Sequence, residues 1–280
     1  MGGPGPMESA RDRFRTWNRR RIERRRLSKP PVETMHGFRF SGPAAMFGDD
    51  WEPEERALIG RLLGQVDLFL NVGAHYGFYL CVSQRGQVPA IALEPIAANI
   101  GMIAKKLRAN GWGADVTVLP VAAGEVRGFA EIRGGGSGAT LSPDITTAPA
   151  SQVQTVPVVR LEDLVHLNGR RVLVLMDVEG FELAALKGAA ALLAARPQPV
   201  WIIEILARFG GRGQVRPGYL DTLRLMDDSG YAIFHIGAGL QRVDLPELET
   251  RATAGDAVLP EGNFLFVGKD DGGMLAMIAG

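Results

Sequence analysis

The sequence holds a single cysteine, Cys81, in 280 residues. One thiol excludes an internal disulfide and any Cys-rich zinc site, and it accords with a reducing compartment. No apolar run approaches the ~18 residues that a membrane span needs. The first residues are rich in Gly and Pro and then in Arg, without the apolar core of a secretory signal, so the cytoplasm is the expected location. Internal repeats are lacking as well. Net charge is zero, with 31 basic residues against 31 acidic ones. What the chain does have is 46% hydrophobic content, enough for one sizeable core without disulfide or metal.

The charge balance is uneven along the chain. Glu8 to Lys29 carries ten basic residues (Arg11, Arg13, Arg15, Arg19, Arg20, Arg21, Arg24, Arg25, Arg26, Lys29) against three acids. Residues 1–36 therefore read as an Arg-rich arm suited to an anionic surface or another subunit. Phe14, Trp17, Ile22 and Leu27 fall on no clean helical period, which argues against a membrane-lying amphipathic helix. The rest of the chain is acidic, which argues against nucleic acid as substrate. Residues 37–269 form the expected catalytic domain, and 270–280 a tail, read as loose.

The most informative stretch is VDLFLNVGAHYG, Val66 to Gly77. A β-type apolar run breaks at Gly73 and resumes past Gly77 as a helix. Such a glycine turn lets a ligand approach the backbone, and the free N–H groups of the helix start tolerate an anion. A second apolar run, Ala90 to Leu93, ends in Glu94 and Pro95. A carboxylate at the end of the next parallel strand suits a nucleoside ribose, because its two oxygens can accept from both hydroxyls.

Around this stretch the chain alternates strands and helices. Helices are expected at 53–63, 78–84, 96–110, 181–195 and 219–229, and strands at 116–121, 172–178, 200–205, 231–236 and 264–267. Alternation of this kind means parallel βαβ units. It is interrupted between the third and fourth core strands, where Phe129–Arg133 and Val153–Arg160 are β-like around a Gly/Ser/Thr-rich tip. This reads as an antiparallel excursion, either a lid or a plain surface loop. Three acids, Glu94, Asp177 and Glu204, end buried strands on the edge where open parallel sheets bind ligands.

Together FLNVGAHYG (69–77), ALEP (92–95) with Asn99 and Asn110, VPVVRLEDL (156–164), LMDVEGFELAALKGA (175–189) and WIIEI (201–205) resemble the FkbM-type family of S-adenosylmethionine-dependent methyltransferases. WEPEE (51–55) and NFLF (263–266) agree as flanks. The resemblance implies a Rossmann-like class I methyltransferase fold, a seven-stranded, mostly parallel sheet of order 3-2-1-4-5-7-6. It also implies S-adenosylmethionine as cofactor and methylation of a hydroxyl on a small molecule, sugar or lipid-linked glycan. Carried over, Gly73, Ala74 and Gly77 would wrap the methionine part and Glu94, with Pro95, the ribose. Ala122 and Ala123 would border the adenine, and Asp177 would face the reacting centre. Asn71 and His75 stand in the same turn, where the family generally has Asp and Asn; Leu175 stands where it often has Lys.

Methyl transfer needs a group to take the hydroxyl proton, and a buried carboxylate or an imidazole suits that task. Asp177, Glu179, Glu204 and His75 are the candidates. For Asp177 and Glu179 the alternative is capping of the following helix, and for Glu204 an ion pair with an arginine. Arg208, Arg212 and Arg216 could recognise an anionic acceptor or form a solvated loop. No third oxygen ligand stands at a persuasive spacing beside Asp177 and Glu204, so no metal is expected. Two rivals stay open. An NAD(P)-dependent oxidoreductase would need G-x-G-x-x-G, which Gly73-x-x-x-Gly77 leaves incomplete. A degenerate methyltransferase fold kept as a binding module would explain Asn71 and Leu175.

Overall fold

A computed structural model describes residues 21, 29–134, 139–142, 153–208, 215–255 and 258–279. Seven core strands make up most of one sheet: β1 Leu68–Val72, β2 Ala90–Leu93, β3 Val116–Leu119, β4 Val172–Met176, β5 Val200–Ile205, β6 Tyr231–Gly237 and β7 Gly262–Gly268. Their order is β3-β2-β1-β4-β5-β7-β6, the order expected. β1 to β5 run parallel, and β7 is antiparallel to both neighbours. An eighth strand, Gly239–Arg242, extends the sheet beyond β6 through a tight hairpin that the sequence reading left out.

β1 and β4 are buried at every position, as strands covered on both faces must be. Side-chain alternation divides the core in two. Leu68, Leu70, Val72, Val174, Met176, Trp201 and Ile203 pack on one face, and Phe69, Leu173, Leu175, Ile202 and Leu265 on the other. Helix α1, Pro53–Leu63, places Pro53 at its first turn with Glu54 and Glu55 beside it, where proline and acids suit the free N–H groups. Helices α2, Phe78–Arg85, and α3, Ala97–Ala109, follow β1 and β2.

Two expected elements are corrected. The helix expected over 181–195 is two pieces, Glu182–Lys187 and Ala190–Leu193. The break falls at Gly188, where a Cβ would stand 2.0 Å from the Gly124 carbonyl oxygen, and the Gly188 carbonyl accepts from Glu162 N–H at 3.1 Å. Close backbone contact replaces the next helical turn. The tail is not loose: Gly272–Ala279 is helical, its start capped by Asp271 Oδ1 accepting from Met274 N–H at 3.0 Å. Met274 and Ile278 are buried in the second core.

The excursion is a separate three-stranded sheet. Gly128–Arg133 and Val153–Val159 pair antiparallel, while Ala122–Ala123 joins Val153–Val159 in parallel. The central part of its tip, the loop carrying Arg212 and most of the Arg-rich arm lie outside the described residues. The start of the domain is tied down by Asn110 at the end of α3. Its Oδ1 accepts from Arg39 N–H at 2.7 Å and its Nδ2 donates to the Arg39 carbonyl at 2.8 Å, fixing the small hairpin Val32–Glu33/Arg39–Phe40.

Candidate functional site

At the carboxyl ends of β1, β2, β4 and β5 lie two cavities, and Gly73, His75 and Asp177 belong to the walls of both. The divide is set by backbone packing. A Cβ on Gly73, which has φ +84°, would stand 1.8 Å from the Asp177 carbonyl oxygen. The glycine is therefore required by the close approach of the β1 and β4 turns, a different reason from the ligand access expected. Gly77 lines neither cavity. Its φ of +75° and the Ile103 side chain, 2.8 Å from where a Cβ would be, account for it as the helix-initiating residue.

The first cavity is bordered by Glu94, Pro95, Asn99, Ala122, Ala123 and Glu179, with Ile132 and Leu141 of the excursion closing its far side. Glu94 is 3% exposed. Its Oε2 accepts from His75 N–H at 2.6 Å, and its Oε1 from Ile96 N–H at 2.8 Å and Asn99 Nδ2 at 3.2 Å. Oε1 is thereby saturated, and Oε2 keeps room for one more donor, not the two hydroxyls expected. Burial raises the Glu94 carboxyl to about 7 despite these three bonds. Glu179, in left-handed backbone at φ +52°, is likewise raised to about 7, by burial and then by the neighbouring Glu204. The Glu179 carbonyl accepts from Thr140 Oγ1 at 2.5 Å, so the described flank of the excursion is tied to the β4 turn.

The second cavity holds Asn71, Ala74 and Glu204, and residues the sequence reading missed: Trp51, Glu52, Glu55, Tyr79 and Asn263. Glu52 Oε2 accepts from Tyr79 Oη at 2.7 Å, and Glu55 Oε1 from Asn263 Nδ2 at 3.0 Å. Burial lifts Glu52 to about 7. Asp177 lies well above the usual carboxylate range, through burial and through the charge and hydrogen bond of Glu204. The neighbouring Glu204 thus favours the protonated form of Asp177. Asn71 Oδ1, His75 Nε2 and Asp177 Oδ1 are shielded from water and have no protein partner. Unpaired buried polar atoms are costly, and with Asn99 Oδ1 on the wall of the first cavity four of them around one pair of cavities mark a place built for something else.

The four expected proton acceptors therefore do not converge on one space. Glu179 faces the first cavity, Glu204 the second, and His75 and Asp177 both. Burial, reinforced by the Lys106 charge, lowers His75 to about 4, so its ring is neutral at physiological pH. Glu182 serves its own helix start, accepting from Gly180 N–H at 2.6 Å. Arg216 is no solvated loop residue: it donates to the Gly180 carbonyl at 2.9 Å and stands 3.9 Å from Glu182. Cys81 is buried and inert, pushed up to about 12 by burial. Among the described residues no cluster of three or more acids, histidines or cysteines is placed to hold a metal.

Lys106 was also missed. It is fully buried, donates to the Tyr76 carbonyl at 2.6 Å and lies 4.6 Å from the Phe40 ring centre. Desolvation lowers it to about 7. A signal existed: Asn99, Met102, Ile103 and Lys106 follow the 3–4 spacing of one helix face, and that face is the buried one.

The Methyltransferase FkbM domain profile matches residues 71–233, more than half of the chain. The protein belongs to the FkbM methyltransferase family. It is a methyltransferase. No curated protein matches it significantly in sequence. Solved structures of similar fold include an O-methyltransferase from Bacillus cereus in complex with SAH, 12% identical, covering 94% of this chain and 92% of that one at a TM-score of 0.44. Precorrin-6y C5,15-methyltransferase from Geobacter metallireducens is 12% identical over 76% of this chain and 85% of its own, with a TM-score of 0.40. Aeropyrum pernix fibrillarin with natively bound S-adenosyl-L-methionine is 12% identical over 77% and 76%, with a TM-score of 0.38. These likenesses carry nothing about the acceptor. Among the described residues no helix is long and apolar enough to cross a membrane.

Proposed function

We propose that the protein transfers the methyl group of S-adenosylmethionine to a hydroxyl oxygen of a small molecule or glycan. The supporting observation is the pair of cavities joined at Gly73, His75 and Asp177 beneath the carboxyl ends of the parallel strands. The residues present fit the donor. The free acceptor position of Glu94 Oε2 suits one ribose hydroxyl. The small side chains of Ala122 and Ala123 leave a flat wall for a planar base. Across the divide, the unpaired oxygens of Asn71 and Asp177 suit an ammonium or an electron-poor sulfonium methyl.

When bound, the donor supplies an electrophilic methyl on a sulfonium, and the chain must do the rest. Its apolar walls exclude water, and the Asp177–Glu204 pair lies beside the shared wall. The acceptor hydroxyl must lose its proton in the transfer, and the carboxyl of Asp177 or Glu204 at the cavity wall would take it. Neutral His75 adds no positive charge to the shared wall, and its unpaired Nε2 would orient a bound donor.

Glu94, Pro95, Ala122 and Ala123 thus belong to the adenosine half. Asn71, Gly73, Ala74, His75 and Asp177 belong to the methionine half or the junction, with Glu204 the partner of Asp177. The single buried thiol accords with a cytoplasmic setting, and the Arg-rich arm is left for an anionic surface or a neighbouring subunit. The test is incubation of methyl-labelled S-adenosylmethionine with small-molecule extract. Label is expected in an alkali-stable ether product, and Asp177→Asn should slow its appearance by about 100-fold or more. Tight NAD binding without any response to S-adenosylmethionine would overturn the reading, and donor binding without transfer would leave only a binding module.

A further inference from the structure

The second cavity sets a cluster of acceptors among apolar and aromatic side chains. Glu52, Glu55, Asp177 and Glu204 bring four carboxyls to it, and no lysine or arginine lines it. The two donors nearest its α1 end are already engaged, Tyr79 Oη by Glu52 and Asn263 Nδ2 by Glu55. Independently of these acids, Asn71 is 3% exposed, belongs to the same wall and has an oxygen without a partner. Trp51 and Tyr79 add aromatic surface beside Glu52, their rings 5.7 Å apart. Acceptors without free donors, negative charge and aromatic surface together favour an occupant that brings N–H donors and positive charge.

The methyl donor accounts for part of this demand. S-adenosylmethionine carries two positive groups and one carboxylate, so its net charge is a single positive one. That charge belongs at the Gly73–Asp177 junction, where the two cavities meet. Glu52 and Glu55, at the start of α1, remain without a cation. Resting on the methyltransferase reading, we infer that the methyl acceptor is a hydroxylated amine, an amino sugar or amino alcohol, whose ammonium is held between Glu52, Glu55 and the adjoining aromatic rings. Its hydroxyl then lies toward Asp177 and Glu204. A neutral polyol would leave the two half-buried glutamates without a counter-charge, and an anionic acceptor would be repelled.

The test is calorimetric titration of the full chain saturated with S-adenosylhomocysteine, using two isosteric pairs. These are phenethylamine against 2-phenylethanol, and 2-amino-2-deoxyglucose against glucose. The ammonium member of at least one pair should bind tenfold or more tightly than its neutral partner. That preference should fall below threefold in Glu52→Gln and in Glu55→Gln, each checked for folding by its melting transition. Equal or weaker binding of the ammonium member in both pairs overturns the inference. So does a Glu52→Gln variant that loses S-adenosylhomocysteine affinity while keeping the amine preference, because the charge then serves the cofactor. Failure of S-adenosylhomocysteine to bind the unaltered protein is a separate result, and it removes the methyltransferase assignment of the site instead.

Discussion

On the β2 side of the Gly73–Asp177 divide, the one deeply buried acid is bonded to backbone; on the α1 side, half-buried acids crowd together with few donors. Glu94 holds the turn at His75 and the entry to α3 through three hydrogen bonds, leaving one acceptor position. Across the wall, Glu52 has a single phenol donor, Asp177 leans on another carboxyl, and Asn71 has no partner for its oxygen. The difference separates two ways of building a site. The first cavity is preorganised for a largely neutral ligand of fixed shape. The second tolerates an electrostatic deficit that protonation or a positive occupant relieves.

The most damaging way to break the divide is Gly73→Ala, which drives a methyl into the Asp177 carbonyl at a left-handed backbone position. Urea unfolding should show a loss of about 3 kcal/mol or more, together with loss of ligand binding on both sides. Next comes Glu94→Ala, which leaves the N–H groups of His75 and Ile96 without acceptors. Its cost in unfolding free energy should be about 2 kcal/mol, larger than that of Glu94→Gln, which keeps one oxygen.

A pH series sharpens the contrast. Glu52, Glu94 and Glu179 are raised from 4.5 to about 7 in the folded protein, which therefore holds more protons than the unfolded chain between those values. Ligand-free stability should be greatest below pH 4.5 with respect to these groups, and should fall as pH rises through 7. Glu52→Gln should flatten that slope without abolishing it. Lys106 runs the other way. Lowered from 10.5 to about 7, it lets the unfolded chain hold more protons in that window, so its contribution to stability grows with rising pH. Lys106→Met should remove that component and cost about 1 kcal/mol at pH 7 through the lost bond to Tyr76.

The smallest effect concerns two departures from the family pattern that the sequence left as separate signs of decay. Asn71 and Leu175 are paired in register on adjacent strands β1 and β4. Replacing both members of a buried acid–lysine pair by neutral groups can be nearly free, whereas restoring one alone leaves a buried charge. Asn71→Asp and Leu175→Lys should each destabilise, and the double variant should recover about 1 kcal/mol relative to their sum in a double-mutant cycle.

The sequence made the scaffold legible because β1, β4 and β5 are continuous apolar runs bounded by turn residues, and helix caps at Pro53 and Asn110 mark their elements. It did not show where Gly188 meets Gly124, since a helix-breaking backbone contact is a long-range event. It named Gly73, Glu94, Asp177 and Glu204 because acids and glycines at strand ends carry local signals, and His75 by its place in the glycine turn; Asn71 entered only through the family resemblance. Glu52, Glu55, Tyr79 and Asn263 escaped because their meeting depends on α1, α2 and β7 packing together. Lys106 escaped because a lysine near a helix C-terminus is ordinarily read as a partner of the helix dipole. Its heptad neighbours already placed it on the buried face.

The central claim is that one methyl donor spans both cavities across the Gly73–Asp177 wall. Calorimetric titration of the unaltered protein with S-adenosylhomocysteine, repeated on Glu94→Gln from the first cavity and Asn71→Ala from the second, tests it directly. One ligand per chain, with affinity reduced about tenfold or more by each substitution, is the predicted result. Binding that responds to only one of the two substitutions, or a response to NAD in place of S-adenosylhomocysteine, would contradict it.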